Sequence, residues 1–332
     1  MAGAPSGGAE LFFERLSIAL ARAGDAVLPV IRNDAPRAAR LAAAGLAPVQ
    51  LGFGGPLDFM TRRRLATELR RFAPHIAIAW MSRAARFLCR GDWVTAGRLG
   101  GYYDIAYFRR CDHLIANTVG LVSWITRQGW PAARVHHLPN FVPDMAGAAP
   151  ATDAAGEGRL VLALGRLHRN KGFDLLIRAL PSLPDARLLI AGEGPERPAL
   201  EAIARQEGVA ARVMLPGWRH DTAALLAACD VFVCPSRQEP LGNAVIEAWS
   251  AGRPVVAAAA EGPRELLRPD EDGLLVAVEN PPALAQAIGT LLADARLAAR
   301  LAAAGRLRWQ AEFAERPVVA AWRDLLQRLV RR

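Results

Sequence analysis

Two glutamates, Glu239 and Glu247, stand with seven residues between them in Pro-Ser-Arg-Gln-Glu-Pro-Leu-Gly-Asn-Ala-Val-Ile-Glu, residues 235–247. The apolar run from Asp230 to Cys234 precedes them and reads as a buried parallel strand. Asn243 to Ala251 reads as a helix. A loop between the end of a parallel strand and the start of a helix is where α/β folds place ligands. The amides of Leu241, Gly242 and Asn243 are then the open N–H groups of a helix start, and they suit an anion. Both carboxylates can face one crevice. The competing reading is a surface loop with solvated glutamates.

Three further stretches share this strand-loop-helix setting. Arg159 to Leu164 is an apolar strand that runs into Gly165-Arg166-Leu-His-Arg-Asn-Lys171-Gly172-Phe173. Lys171 is the one lysine; the other 40 of the 41 Lys and Arg residues are arginine. Gly192-Glu193-Gly194-Pro195 follows the strand Ala186 to Ala191, and it lacks the third glycine of a dinucleotide fingerprint. Ala251-Gly-Arg-Pro-Val-Val256 completes the set. In this order the four motifs resemble those of retaining glycosyltransferases of the GT4 type, strongly from Arg159 to Val276.

The resemblance implies a GT-B fold: α/β, with two Rossmann-like domains facing across a cleft. It implies that Arg166 and Lys171 meet the diphosphate of a UDP- or GDP-sugar. Fixed cations there stabilise the charge that grows as the glycosidic bond stretches. Arginine grips two oxygens, whereas lysine acts as a point charge. Glu239 is implied to contact the donor sugar or its cationic ring, the Leu241 and Gly242 amides the phosphates, and Glu247 the ribose. Gly192 and Gly194 are implied beside the nucleotide, and Gly8 in a Gly-Gly loop near donor or acceptor. Where family members often carry a histidine, this chain has Arg98. Arg98, Tyr102 and Tyr103 at that strand's end are the candidate acceptor contacts. No cofactor and no metal are expected. Asp270-Glu271-Asp272 matches an Asp-x-Asp triplet, but Gly273 and the strand 274–276 follow at once, so a hairpin-like surface turn is expected.

The other elements must position these residues. Strands are expected at 26–31, 48–53, 76–80, 93–99, 212–215 and 254–258, and a turn at Glu261-Gly262-Pro263. Helices are expected at 37–44, 57–72, 223–228, 281–292, 295–307 and 317–331. Gly7 opens the first helix with only six residues before it, too few for a strand, so the first sheet is expected to lack one or the start to lie upstream. Residues 1–142 form the acceptor-side domain, 143–158 an Ala/Gly/Pro-rich linker, 159–308 the donor domain, and 309–332 a helix that crosses back to the first domain. His113 is expected as a packed strand residue, and His136-His137 lacks a third ligand for a metal.

Composition narrows the class. The net charge is +9, and 52% of residues are hydrophobic. There is no run of about 18 apolar residues and no signal-peptide pattern. The four cysteines have no metal or disulfide spacing, which suits reduced thiols in the cytoplasm. A basic surface without aromatic interleaving argues against nucleic acid. In the helix 57–72, Leu57, Met60, Leu65, Leu69 and Phe72 oppose Arg62, Arg63, Arg64, Arg70 and Arg71. That face is either solvated or a peripheral contact with anionic lipid at the inner membrane surface. The function expected is transfer of a sugar to a glycan or lipid-linked acceptor of cell-envelope polysaccharide. The rivals are a sugar-nucleotide epimerase of the same fold and a non-catalytic sugar-nucleotide-binding subunit; a nicotinamide oxidoreductase lacks its glycine fingerprint.

Overall fold

The computed structural model describes residues 1–4, 7–55 and 58–331. The chain forms two compact units, one of Met1–Phe141 with Glu315–Arg332 and one of Val142–Ala314.

The first unit runs α1 (Gly8–Arg22), β1 (Val30–Arg32), α2 (Ala35–Ala43), β2 (Val49–Leu51), α3 (Phe59–Phe72), β3 (Ile76–Trp80), α4 (Met81–Phe87), β4 (Val94–Leu99), β5 (His113–Ala116), α5 (Val119–Arg127) and β6 (Val135–His137). Helix starts follow local chemistry: the side chains of Asp34, Asp58 and Thr118 accept from the amides three residues on, at Arg37, Thr61 and Leu121. All strands pair in parallel, β1 with β2 and β3-β4-β5-β6 in a row.

Met1 stands beside β1. Its amino group donates to the Val30 carbonyl at 2.6 Å, and its carbonyl accepts from the Arg32 amide at 2.9 Å. That is the pattern of a parallel bridge. A cavity of about 210 Å³ lies next to it, lined by Val27 and Val30 on one side and Ile76 and Ile78 on the other. Among the described residues, β1 is thus flanked by β2 on one side and by Met1 on the other, where a further strand would stand.

The second unit runs β7 (Arg159–Leu164), α6 (Phe173–Ala179), β8 (Ala186–Ala191), α7 (Arg197–Gln206), β9 (Val213–Met214), α8 (Thr222–Ala228), β10 (Val231–Cys234), α9 (Asn243–Ser250), β11 (Val255–Ala258), α10 (Glu261–Leu266), β12 (Leu274–Val276), α11 (Pro281–Ala293) and α12 (Ala295–Arg308). Its parallel sheet has the order β12-β11-β10-β7-β8-β9. Strands β10 and β11 are buried throughout, which is why they read as unbroken apolar runs rather than alternating ones. The order reverses between β7 and β10, so the loops after those two strands border the switch point.

Several expectations need correction. Residues 143–158 are not a free linker: Met145, Ala151 and Ala154 are buried in the second unit, and Asp144 pairs with Arg306 at 2.7 Å. The expected turn at Glu261 is the first turn of α10. The Asp270–Asp272 turn is not solvated throughout, since Asp272 is buried, accepts from the Arg268 amide and pairs with Arg308 at 2.8 Å. The C-terminal span 309–332 is broken: Trp309–Phe313 is a π-helical turn, Ala314 is extended, and α13 starts at Glu315 and runs to Val330. Pro317 is tolerated because it lies in the first turn. Helix α13 belongs to the first unit, where Val318, Trp322, Leu325 and Leu329 recur at helical spacing against Phe12, Phe13 and Leu16 of α1. In α3, Leu65 and Leu69 are buried but Met60 is 70% exposed, beside Phe59 at 64%. Leu57 lies outside the described residues.

Candidate functional site

The β7 loop is built on backbone contact. Leu167 N–H donates to the Glu193 carbonyl at 2.9 Å, and Glu196 N–H donates back to the Leu167 carbonyl at 3.1 Å. A Cβ on Gly192 would lie 1.8 Å from the Gly165 carbonyl oxygen. A Cβ on Gly194 would lie 2.3 Å from that of Leu167. The Gly-x-Gly turn therefore has a steric reason that needs no ligand: it seats one strand-end loop against another. The chain then makes a 3-10 turn, Arg169–Lys171, and enters α6 through Gly172 at φ 65°. Glycine is required there both for the left-handed backbone and because its Cβ would lie 2.1 Å from the Pro235 carbonyl oxygen.

That contact joins the β7 loop to the β10 loop. The amides of Arg237 and Gln238 both donate to the Asn170 carbonyl, at 2.8 and 3.2 Å. The Lys171 ammonium consequently meets the Glu239 carboxylate at 2.5 Å, with Ser236 Oγ donating to the same oxygen at 3.3 Å. The two side chains are 28% and 14% exposed, so water screens the pair only in part. Burial works against the Lys171 charge, but Glu239 outweighs it and the ammonium is held above its ordinary value. Cys234 lies behind the pair; burial and the Glu239 charge push its thiol up to about 11.

Residues 241–243 lead into α9, with Gly242 left-handed at φ 94° as its N-cap. Among the described residues, the amides of Leu241 and Gly242 donate to no acceptor. Leu241 packs its side chain into the core, and the residue as a whole is buried. Glu239 is pinned from its other side, its carbonyl accepting from Gly262 N–H at 2.7 Å. Glu247 is half-buried one turn into α9, and Arg166 is exposed on the β7 loop. The result is a cation, a carboxylate and two unpaired amides at a sheet's switch point, with Arg166 exposed on the adjoining β7 loop. Such a set can hold a phosphate group next to a polar ligand.

Sequence reasoning assigned Lys171 and Glu239 separate partners; the structure brings them into contact. It also missed Arg237 and Asp174. Arg237 pairs with Asp174 through two bonds of 2.6 and 2.7 Å and reaches Glu279 at 2.5 Å. The signal was an arginine inside the Glu239 loop and an aspartate at a helix start, but nothing in the sequence pairs residues 63 apart.

The first unit's candidates divide. Gly8 is exposed at the start of α1. Tyr102 is 45% exposed and packs edge-on against Trp124. Tyr103 is half-buried, and burial with the nearby Glu10 charge pushes its hydroxyl up. Arg98 is not a surface contact for an acceptor. It is 3% exposed, donates to the Leu99 carbonyl and to Asn140 Oδ1 at 2.6 Å, and lies over the rings of Phe12 and Trp80. His113 is buried in β5, its Nδ1 3.1 Å from His136 Nε2.

A model of the family described as glycosyl transferases group 1 matches residues 158–294, the part that carries this site. The lipopolysaccharide core biosynthesis glycosyltransferase LpsE of Rhizobium meliloti (strain 1021) is 34% identical over 331 residues, covering 96% of each chain. LpsD of the same organism, with the same description, is 32% identical over 97% of this chain and 95% of its own. Among solved structures, Anabaena HepE in complex with UDP and glucose aligns with TM-score 0.82 and 21% identity over 97% of this chain and 96% of its own. That likeness shows the fold, which is GT-B with two Rossmann-like domains.

Proposed function

The chain belongs to the glycosyl transferases group 1 family and is a glycosyltransferase, and on that premise we propose that it moves a sugar from a nucleotide sugar to an acceptor of lipopolysaccharide core synthesis, retaining the anomeric configuration and using no metal. The observation that carries the reading is the Lys171–Glu239 pair beside the open Leu241 and Gly242 amides. LpsE and LpsD support the acceptor class by their descriptions, and HepE supports a UDP-linked donor by the nucleotide in its complex, with GDP the other candidate.

In this reading the two amides and Arg166 take the diphosphate. Lys171, now paired with Glu239, shares its charge with the incoming phosphate. The bond from the anomeric carbon to the phosphate oxygen breaks, and the acceptor hydroxyl bonds to that carbon on the same face. Its proton passes to the departing phosphate oxygen. Glu239 steadies the positive charge on the sugar ring, and Glu247 binds the ribose. The protein's own cations fill the charge-stabilising role, strengthened where water is excluded. Tyr102 and Tyr103 are the acceptor candidates, and Gly8 the candidate for the donor side of the first unit. The exposed Phe59 and Met60, with Arg63, Arg64, Arg70 and Arg71, form the face proposed to meet anionic lipid on the cytoplasmic side of the membrane; Arg62, expected with them, is half-buried over the Phe87 ring instead.

The test is transfer of label from UDP- and GDP-sugars to core oligosaccharide acceptors, with and without EDTA. Product with unchanged anomeric configuration and EDTA-resistant turnover is expected. A new nucleotide sugar made without acceptor, or donor binding with no turnover, would overturn the reading.

A further inference from the structure

We propose that the Arg237 side chain is a positioning group that sets the spacing of Lys171 and Glu239, acting through Asp174 and the Arg169 carbonyl. This rests on the reading above that Lys171 and Glu239 act on the donor.

Arg237 sits at the crossing of four segments. Its guanidinium clasps Asp174, at the start of α6, with two bonds of 2.6 and 2.7 Å. It also donates to the Arg169 carbonyl at 3.0 Å and to Glu279 at 2.5 and 3.2 Å. Its own amide reaches the Asn170 carbonyl at 2.8 Å. Lys171 follows Asn170 directly, and Glu239 lies two residues beyond Arg237. One side chain thus fastens the segment that carries the cation to the segment that carries the carboxylate. Only 16% of it is exposed, and its two bonds to Asp174 are partly buried, whereas those to Glu279 and the Arg169 carbonyl are exposed. The planar fork of arginine suits two-bond pairing with Asp174, which lysine cannot reproduce. Burial opposes the Asp174 charge, yet the hydrogen bonds and charge of Arg237 outweigh it and hold that carboxyl below its ordinary value. The clasp is therefore fully charged at neutral pH.

The guanidinium bonds go to Asp174, Glu279 and the Arg169 carbonyl, and not to Lys171 or Glu239 themselves. That is the arrangement of a group that acts through others. A misplacement of about 1 Å in a reacting constellation costs on the order of 100-fold in rate.

Lysine 171 being the chain's one lysine gives a direct readout. Protein labelled with 15N-lysine shows a single side-chain ammonium resonance, whose position reports its pairing with Glu239. Glu239→Gln supplies the unpaired reference. In Arg237→Ala the resonance is expected to move toward that reference, and kcat/KM for transfer is expected to fall roughly 10- to 100-fold. In a Lys171→Ala background the same change should cost less than about threefold, because the group being positioned is gone. Asp174→Asn cuts the clasp from its other side and should move the resonance in the same direction. Where Arg237→Ala lowers Tm too far to be studied, Asp174→Asn is read alone. A lysine resonance that stays at its wild-type position in the folded variant overturns the inference, whatever happens to Tm. The resonance is read without turnover, so loss of the proposed donor role, seen as full transfer activity in Lys171→Ala, is a separate result.

Discussion

A methyl group on Gly172 would lie 2.1 Å from the carbonyl oxygen of Pro235. The two loops that carry Lys171 and Glu239 therefore touch backbone to backbone. Gly172→Ala is expected to lose about 1–2 kcal/mol from the left-handed φ of 65° alone, and more from the clash. Urea denaturation measures the first effect. Transfer activity at a temperature where the variant is folded should drop by at least about tenfold.

Lys171→Arg tests what kind of cation the site needs. Arginine keeps the charge but cannot place a compact ammonium 2.5 Å from Glu239. Its kcat/KM should stay within about tenfold of Lys171→Ala, itself roughly 100- to 1000-fold below wild type. Full activity in Lys171→Arg would show that charge alone suffices.

Trp322 is fully buried and stacks on Trp80, with centroids 6.3 Å apart and planes at 10°. Trp322→Ala should cost about 3–5 kcal/mol, read as a fall in urea midpoint. Trp322→Phe should cost much less, because the indole N–H has no hydrogen-bond partner among the described residues to lose.

Much of the second unit is legible in the sequence because its strands are continuous apolar runs. Arg159–Leu164 and Ala186–Ala191 have the boundaries expected of them. The site loops are legible for the same reason: each begins where such a run stops. What the sequence does not show is pairing across long separations. Arg237 with Asp174, and Lys171 with Glu239, become neighbours only once β7 and β10 lie side by side. Arg98 misleads because a charged residue at a strand end reads as exposed, whereas Phe12 and Trp80 enclose it.

The amino group of Met1 gives this chain a pH signature. Burial, then the charge of Arg37, lowers it from 8.0 to about 5. Between those values the unfolded chain binds a proton that the folded chain does not, so stability rises with pH across that window and falls as pH drops through it. Three pH units correspond to about 4 kcal/mol at most. Tm measured from pH 5 to 8 should climb, and acetylation of Met1 should remove that part of the slope.

The exposed end of α3 predicts lipid dependence. Arg63→Glu with Arg64→Glu should weaken sedimentation with vesicles containing anionic lipid by at least about 30-fold, at about 1 kcal/mol for each arginine lost. Binding should also fall as salt is raised. Equal binding to neutral vesicles would count against the electrostatic part of the contact.

The gap beside Met1 bears on handling the molecule. Met1 already pairs with the second side of β1, whereas β3 pairs only with β4, and its other side has no strand against it among the described residues. Unpaired strand margins with apolar neighbours are templates for a second polypeptide. Concentrated solutions of this chain should accordingly lose material by intermolecular strand pairing at that margin first, and a charged substitution at Val27 should slow the loss.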